Sequence, residues 1–415
     1  MRLRVAVLSV HTCPLAAPGG KETGGMNVYV RETARELARM GAHVDVFTRS
    51  QNPRIPRVVE MGQGARVVHL PAGPEAPMPR EEVHRHLDQF VAGVEAFRWD
   101  EGLDYDLIHA HYWLSGAAGL ALRDAWGTPL VQMFHTLGRL KNSVAQAASE
   151  VEPELRISEE SRIVRAADRI VAANVVERAH LVWYYGAPAE RVAVIPCGVD
   201  TDLFQPMARA TAKDLLELGP EPLLLYVGRL QPIKGLETLL QAMTRLDGAA
   251  KLLIIGGDQD EPENGHGVYL RERVAALGLA RRVRFLGAQP QRRLRLFYAA
   301  AEATVMPSYY ESFGMVALEA MACGSAVVAS RVGGLTTTVK DGVTGHLVPE
   351  GDPAALATRL GGLLRDRQER DRLGGEAARW AAEHRWPCVA EAVCRLYTEL
   401  RPAAFQHLAQ ARCRT

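Results

Sequence analysis

Residues 307–324 read PSYYESFGMVALEAMACG and follow the apolar run ATVM at 303–306. The apolar run predicts a buried strand that Pro307 ends, and residues 315–323 predict a short helix closed by Gly324. A strand, a tight turn and a helix N-terminus form a site for anions, because the first amide N–H groups of a helix have no partner within it. Glu311 lies in the turn and Glu319 on the helix, with seven residues between them. We expect the two carboxylates to reach opposite ends of one elongated ligand through its hydroxyl groups.

The bulk composition is typical of a soluble protein with two domains. The 415 residues exceed what one ordinary core holds. The chain is 47% hydrophobic and 23% charged, as in globular proteins. Lys and Arg number 49 and Asp and Glu 48, so no overall field attracts nucleic acid or anionic lipid. We therefore expect neither as a partner.

Three features of the sequence indicate a cytoplasmic protein. The six cysteines, at positions 13, 197, 323, 388, 394 and 413, form no Cys-x-x-Cys pair, which is typical of reduced thiols. The apolar start of the chain is too short for a signal peptide and predicts a first strand. No apolar run approaches the roughly 20 residues that span a bilayer, so we expect no integral membrane segment. The oligomeric state stays open, with a homodimer among the options.

The first half of the chain alternates strands and helices, as a parallel sheet covered on both faces requires. The pattern predicts a strand at 5–10, a glycine-rich loop at 18–27, a helix at 28–40 and a strand at 44–48. Such a loop falls at the carboxyl end of its strand, where these sheets bind ligands. Gly25 lets the backbone approach a phosphate, and Asn27 can cap the helix. The Gly24-Gly25 pair taken alone fits a plain turn as well; its spacing to the helix favours the phosphate loop.

Polar side chains end two further predicted strands. The strand at 106–113 ends with His111 and Tyr112, and the strand at 129–136 ends with His135 and Thr136, so all four lie at one edge of the sheet. A histidine there is either a structural hydrogen-bonding group or part of a site, and the gathering of polar tips favours the site. No Asp, Glu or Cys completes a metal-ligand set, and no Gly-x-Ser-x-Gly elbow indicates a serine hydrolase.

The segments between these strands complete the first half. Residues 55–79 predict an irregular stretch around a strand at 65–70, and an amphipathic helix runs from Arg80 to residue 97. A helix at 153–168 carries Arg156 and Glu160 on the same face. They form either a surface ion pair or a guanidinium anchored and aimed at the cleft. We place the interdomain linker at 204–206.

The second half opens with a strand at 223–227, after which Arg229 and Lys234 lie on a strand-to-helix loop. Two basic residues are usually solvated surface, but a pair directly after a buried strand, beside Gly228 and Gly235, is better explained as a clamp for a diphosphate. Strands follow at 252–255 and 283–287, and the loop at 288–290 is placed to meet a base. The break at Trp386 and Pro387 resembles the point at which a last helix crosses back to the first domain.

Four strings together carry a resemblance to a known family: GGMNVYV at 24–30, DLIHAHYWLSG at 106–116, HTL at 135–137 with KN at 141–142, and ESFG at 311–314 with Glu319. They resemble the retaining nucleotide-sugar glycosyltransferases of the GT-B fold, the group 1 family, and within it the members that act on inositol phosphate in mycothiol biosynthesis. The resemblance implies an α/β fold of two Rossmann-like domains facing across a cleft. Residues 1–205 with a helix at about 387–415 would bind the acceptor, and 206–386 the nucleotide sugar.

The resemblance also implies roles for individual residues. Arg229 and Lys234 hold the donor diphosphate, Glu319 the ribose hydroxyls, and Glu311 the transferred sugar. His135 lies against that sugar. The implied catalytic set is Arg229, Lys234, Glu311 and His135. The remaining donor-binding positions are Gly25, Gln289, Ser312, Phe313, Gly314 and Met315. The implied acceptor-binding positions are Asn27, Arg80, Tyr112, Thr136 and Arg156.

The implied reaction moves a sugar from UDP-glucose or UDP-N-acetylglucosamine to a hydroxyl of a small phosphorylated acceptor, inositol phosphate first. It requires no metal or cofactor besides the donor, and Mg²⁺ is compatible with it but not implied. Arg80 replaces the lysine usual in the family's acceptor set, and residues 137–140 and 150–152 also differ from the expected pattern. The open alternatives are a sugar-phosphate glucosyltransferase resembling sucrose-phosphate synthase, a nucleotide-sugar epimerase and a non-catalytic binding protein.

Overall fold

The computed structural model describes residues 3–16, 24–145, 148–257 and 265–400. Within these ranges the chain forms an eight-stranded sheet followed by a six-stranded sheet, each with helices packed on it. Strands and helices alternate through both halves, as the sequence predicts. The architecture therefore confirms the predicted α/β fold with two Rossmann-like units.

The first sheet is built from β1 (Arg4–Leu8), β2 (His43–Arg49), β3 (Val58–Gly62), β4 (Ala65–Leu70), β5 (Leu107–His111), β6 (Leu130–Met133), β7 (Arg169–Ala172) and β8 (Val192–Val194). Their spatial order is β3-β4-β2-β1-β5-β6-β7-β8. The pairing of β3 with β4 is antiparallel and the others are parallel. The helices of this half are α1 (Gly25–Arg39), α2 (Arg80–His84), α3 (Leu87–Asp100), α4 (Tyr112–Trp126), α5 (Gly138–Ser143), α6 (Glu154–Ala166) and α7 (Val175–Tyr185).

The second sheet contains β9 (Leu223–Val227), β10 (Lys251–Ile255), β11 (Val283–Phe285), β12 (Ala303–Met306), β13 (Val327–Ser330) and β14 (Gly345–Val348). Their order is β11-β10-β9-β12-β13-β14, and every pairing is parallel. The helices are α8 (Arg209–Leu215), α9 (Leu236–Met243), α10 (His266–Ala276), α11 (Gln291–Ala300), α12 (Met315–Ala322), α13 (Leu335–Thr338), α14 (Pro353–Arg365), α15 (Arg367–Ala382) and α16 (Trp386–Leu400).

The strand order reverses once in each sheet, and this places the ligand site. In the first sheet the chain leaves β1 toward β2 on one side and later adds β5 on the other; in the second, β9 plays the same part between β10 and β12. Strands β5, β6, β12 and β13 are buried along their whole length, as in a sheet covered on both faces. Ligands of such sheets bind at the carboxyl ends of the strands where the order reverses.

Three elements of the first half differ from the sequence prediction. The helix expected at 80–97 is divided into α2 and α3, although its buried positions keep helical spacing across the break and no Pro or Gly marks it. Strand β3 lies in a stretch that was predicted to be irregular; it is an edge strand in which Met61 is the single buried residue, so no apolar pattern marks it. Strand β5 ends at His111, and α4 begins at Tyr112 without a loop.

The last described helix, α16, packs against α1 of the first unit. Its first residue, Trp386, lies edge-on to Tyr29 with ring centroids 5.8 Å apart, and an added Cβ at Gly198 would meet its ring at 2.7 Å. Further along, the Tyr397 hydroxyl lies 2.7 Å from Nδ1 of His109. The chain thus returns to the first sheet, as the Trp-Pro break predicts; residues 401–415 of the predicted helix lie outside the described residues. None of the described helices is long and apolar enough to cross a bilayer.

Candidate active site

A cavity of about 360 Å³ lies between the two sheets. The loops after β1, β5 and β6 line one side, and those after β9, β10 and β12 line the other. Two hydrogen bonds join the halves beside it: Asn174 Nδ2 donates to the Ser312 carbonyl at 2.6 Å, and Arg31 donates to Gln291 Oε1 at 3.3 Å. The volume suits a small-molecule ligand.

Two helix N-termini meet across this cavity. Helix α1 begins at Gly25 and α12 at Met315, and a Cβ added at Gly25 would lie 3.0 Å from Met315 Sδ. Gly314, which precedes α12, has a φ of +90°, a conformation that favours glycine. Because helix N-termini carry the positive end of the dipole, an anion is favoured between them. Helix α1, which the sequence predicted to begin at residue 28, thus begins at Gly25.

The two predicted cations of the second half, Arg229 and Lys234, both line the cavity. Lys234 ends a short 3-10 turn that is closed by Gly235 with φ of +67°. An added Cβ at Gly235 would lie 1.9 Å from the Pro307 carbonyl oxygen, so this turn packs directly on the end of β12. Lys234 Nζ donates to Glu311 Oε2 at 2.6 Å. The structure thereby joins the cationic loop to the glutamate motif.

The two predicted carboxylates lie on the same wall at different depths. Glu311 is in the turn before α12 with Ser312 and Phe313, whereas Glu319 is buried on the helix and accepts from the Tyr298 hydroxyl at 2.8 Å. Burial raises the pKa of Glu319 to about 7, despite its hydrogen bonds from Tyr298 and Gln291. The carboxylates are placed for separate parts of one extended ligand.

Two residues at the opposite wall have strained backbones. Tyr112 and His135, which directly follow β5 and β6, have φ of +76° and +60°. Side chains with a Cβ rarely adopt such values, and strain of this kind concentrates at functional sites. The Tyr112 ring lies 4.8 Å from the Arg156 guanidinium carbon and 5.7 Å from that of Arg80. The turn at each strand end therefore holds an aromatic ring at the cavity wall.

A cationic cluster lies behind and beside Tyr112. Arg156 donates from Nε to Glu160 at 2.7 Å and from Nη2 to Thr136 Oγ1 at 3.0 Å, and Nη1 lies 2.9 Å from Glu152. Its side chain is 1% exposed and that of Glu160 0%, so the pair is a buried one and the surface ion pair considered from the sequence is wrong. Arg80, Tyr112, Thr136 and Lys141 line the cavity, whereas Arg156 supports them from behind.

Asn27 and Gln289 use their side-chain amides within the protein. Asn27 Nδ2 donates to Thr12 Oγ1 at 2.7 Å and to the Cys13 carbonyl at 2.8 Å, and its Oδ1 accepts from the Gly24 amide at 3.0 Å. It therefore fixes the glycine loop against the end of β1. Gln289 Nε2 donates to the Leu286 carbonyl at 2.8 Å. Both residues line the cavity, and their ligand contacts stay predictions.

A row of buried imidazoles leads from the cavity to the last helix. His135 Nε2 lies 2.9 Å from His111 Nδ1, the His111 and His109 rings are 4.3 Å apart, and His109 bonds Tyr397 of α16. Burial lowers the pKa of His135 and of His109 to about 3, so both rings are neutral. Neutral His135 can present one ring nitrogen to a sugar hydroxyl while the other bonds His111.

The structure adds residues that the sequence did not single out as site residues. Lys141 and His11 line the cavity, Glu152 contacts its cations, and Asn174 joins the halves. Lys141 belongs to one of the four strings that resemble the family, so the sequence could have identified it as a site residue. For Asn174 the sequence indicates only an N-cap position before α7. In the described ranges no group of three or more His, Cys, Asp or Glu is placed to hold a metal ion.

Two Rossmann-like units with cations and helix N-termini around a shared cavity define a glycosyltransferase of the GT-B fold. The chain belongs to the glycosyltransferase group 1 family: residues 209–380 match the model for glycosyl transferases group 1, and residues 23–203 match that for glycosyltransferase family 4. These matches, together with the relatives below, confirm the family and the transferase class predicted from the sequence.

The chain is similar to named relatives over nearly its whole length. It is 41% identical to D-inositol 3-phosphate glycosyltransferase 2 of Catenulispora acidiphila, with 98% of each chain covered. Among solved structures it is 37% identical to sucrose-phosphate synthase of Thermosynechococcus elongatus, with a TM-score of 0.91 and coverage of 97% of this chain and 100% of that one. HepE of Anabaena, solved with UDP and glucose, has a TM-score of 0.75 at 21% identity, covering 96% and 100%, and shows the same fold.

Proposed function

We propose that this protein transfers a hexose from a UDP-sugar to a hydroxyl of a small phosphorylated acceptor, with retention at the anomeric carbon, and that the acceptor is an inositol phosphate. The observation that carries the proposal is one cavity with two distinct cationic ends. Arg229 and Lys234 belong to the second unit, where Lys234 contacts Glu311 before α12, and we call this part the donor end; Arg80 and Lys141 belong to the first unit and line what we call the acceptor end. A donor diphosphate and an acceptor phosphate need two such places.

The donor end is suited to a leaving nucleoside diphosphate. Negative charge grows on that group as the glycosidic bond breaks, and fixed cations and helix amides stabilise it without reorganising. Lys234 and Arg229 supply the charge, and Glu311 and Glu319 are placed to accept hydrogen bonds from sugar and ribose hydroxyls. Support for a UDP-sugar comes from HepE, which was solved with UDP and with UDP-glucose. With these cations in place the reaction needs no cofactor and no divalent ion.

The acceptor end supports a phosphorylated alcohol. Arg80, Lys141 and Tyr112 line it, and buried Arg156 holds Thr136 beside them. The acceptor hydroxyl then enters on the face from which the diphosphate leaves, and a departing phosphate oxygen takes its proton. His135, held neutral by burial, orients the transferred sugar. Closure of the halves through Asn174 and Ser312 excludes water, which limits donor hydrolysis.

We favour inositol phosphate as the acceptor because a relative named D-inositol 3-phosphate glycosyltransferase 2 aligns with 98% of the chain. A second candidate is a hexose phosphate, as in sucrose-phosphate synthesis. It is favoured by the solved sucrose-phosphate synthase, which superimposes with a TM-score of 0.91. Both acceptors carry the phosphate that the cationic cluster requires, so the two differ in ring shape and not in charge.

A donor-by-acceptor screen tests the proposal. UDP-glucose and UDP-N-acetylglucosamine are each combined with inositol 3-phosphate, hexose phosphates and the unphosphorylated alcohols, with UDP release and product mass as readouts. We expect turnover that requires both a UDP-sugar and a phosphorylated acceptor. Rapid UDP release without any acceptor would indicate an epimerase or hydrolase instead, and UDP-sugar binding without release under any combination would indicate a binding protein.

A further inference from the structure

The carboxylate of Glu152 lies in the middle of the acceptor-end cations. Its Oε2 is 2.9 Å from Arg156 Nη1, its Oε1 is 3.9 Å from Arg80 Nη1, and it accepts a hydrogen bond from Lys141. The side chain is 10% exposed. Although burial opposes ionisation, Arg156 and then Lys141 lower the pKa of Glu152 to about 2. A permanent internal anion therefore occupies the place where these cations converge.

The backbone of Glu152 is fixed while its side chain is attached by rotatable bonds. Its amide donates to Asn142 Oδ1 at 2.7 Å, and its carbonyl accepts from Asn142 Nδ2 at 3.1 Å. Pro153 then precedes the first turn of α6. A change of side-chain rotamer can move the carboxylate away from Arg80 and Lys141 without unfolding this segment.

A carboxylate and a phosphate present the same chemistry to these cations, since both accept charge-assisted hydrogen bonds through anionic oxygens. We propose that Glu152 holds the position of the acceptor phosphate in the ligand-free protein, and that the phosphate must displace it to bind. This inference rests on the proposed function, because it concerns the same acceptor end. It makes Glu152 a specificity-determining residue that the family resemblance did not assign.

The charges explain the selectivity that such a placeholder gives. Glu152 contacts Arg80, Lys141 and Arg156, and Glu160 forms a second ion pair with Arg156. A phosphate dianion brings more charge and more acceptor oxygens than the carboxylate that it displaces. A singly charged or neutral group does not, and Glu152 therefore discriminates against it.

The alternative role for Glu152 is a permanent brace that keeps the cations together while phosphate binds in front. Glu152→Gln separates the two roles. The amide has the same length and its oxygen still accepts from Lys141 and Arg156, but the competing charge is gone. The matched control is Glu154→Gln, two residues away, which removes one negative charge from an exposed position in the first turn of α6.

Calorimetric binding of inorganic phosphate to the UDP-loaded protein tests the displacement directly. We expect the Kd for phosphate to fall about tenfold in E152Q, because the phosphate then displaces a neutral amide from Arg156 and Lys141 and breaks no ion pair. The Kd should be unchanged in E154Q. Affinity for UDP, which the other end of the cavity binds, reports that each variant is folded.

Phosphate binding to E152Q that is no tighter than to the unaltered protein would overturn the inference. The KM for a phosphorylated acceptor gives a second readout and should fall in E152Q as well. If the unaltered protein turns over phosphorylated acceptors and E152Q raises their KM, the proposed function stands and the displacement is wrong. If no phosphorylated acceptor is used by any variant while E152Q still binds phosphate more tightly, the placeholder stands and the proposed acceptor is wrong.

Discussion

Replacement of Lys234 by alanine is the most direct test of how the donor end works. Lys234 Nζ lies 2.6 Å from Glu311 Oε2, and the two side chains are 16% and 18% exposed. The ammonium is thus screened from water and adjacent to the carboxylate that we assign to the transferred sugar. The variant removes a charge that stabilises the departing diphosphate and leaves the Glu311 carboxylate without this partner.

Both effects act in the same direction. Loss of one preorganised group that stabilises developing negative charge lowers kcat by about 10² to 10³, or roughly 3–4 kcal/mol of transition-state stabilisation. The unpaired carboxylate also repels the diphosphate in the ground state, so the KM for the donor should rise. Adding Glu311→Gln to K234A should then restore part of the donor affinity while kcat stays low, because the repulsion is removed but the stabilising charge is not replaced.

The assay is UDP release with the best donor and acceptor from the screen, measured over a range of donor concentrations. Lys251→Ala is the matched control, because the Lys251 ammonium bonds the Arg281 carbonyl at 3.2 Å and does not line the cavity. Thermal unfolding reports whether each variant is folded. A folded K234A protein with kcat within about threefold of the unaltered protein would refute electrostatic stabilisation by this residue, since one lost donor of this kind costs at least about 10².

Three further perturbations follow from the structure. Asn174→Asp keeps the oxygen that caps α7 but loses the N–H donor to the Ser312 carbonyl. The variant should have a lower kcat and should hydrolyse more donor in a UDP-release assay without acceptor, while its unfolding temperature stays near that of the unaltered protein. Burial raises the pKa of Glu177 from 4.5 to about 7, so the folded protein is stabilised by the protonated carboxyl below pH 4.5 and loses this stabilisation as the pH rises through 7. The free energy of unfolding of Glu177→Gln should exceed that of the unaltered protein by about 3 kcal/mol at pH 8 and should not exceed it at pH 4.5. Urea unfolding at both pH values measures the difference. Tyr397→Phe removes the hydrogen bond to His109 and should cost about 1 kcal/mol of unfolding free energy, with a larger loss indicating that the imidazole row rearranges.

The sequence predicted the fold well where burial dictates the residue types. Parallel strands covered on both faces are largely apolar, so β12 is visible as a run and its loop follows. Strand β3 lies at the edge of its sheet with one fully buried residue, so neither a run nor an alternation marks it. The buried residues keep helical spacing from α2 into α3, and no Pro or Gly lies at the break between the two helices, so the sequence does not indicate it.

The site divides in a similar way. Residues 307–324 carry a strand end, a turn and a helix start in one contiguous string, so local reasoning places Glu311 and Glu319 in one wall. The acceptor end is assembled from separate segments, and the partner of a charged side chain there depends on tertiary packing. Arg156 is therefore more deeply buried than its pairing with Glu160 implied. The sequence showed a departure from the family pattern at 150–152, but not that Glu152 lies among the cations.

The two ends of the cavity share one physical arrangement. At the donor end Lys234 is paired with Glu311, and at the acceptor end Arg156 and Lys141 are paired with Glu152. Several unpaired cations in a partly buried cleft would repel one another and lose hydration, so a protein without its ligands needs internal anions to hold them. At the acceptor end, an incoming phosphate has to replace what Glu152 supplies. At the acceptor end, binding is then an exchange of the Glu152 carboxylate for the phosphate, and an acceptor without a phosphate leaves Arg156 and Lys141 paired with Glu152.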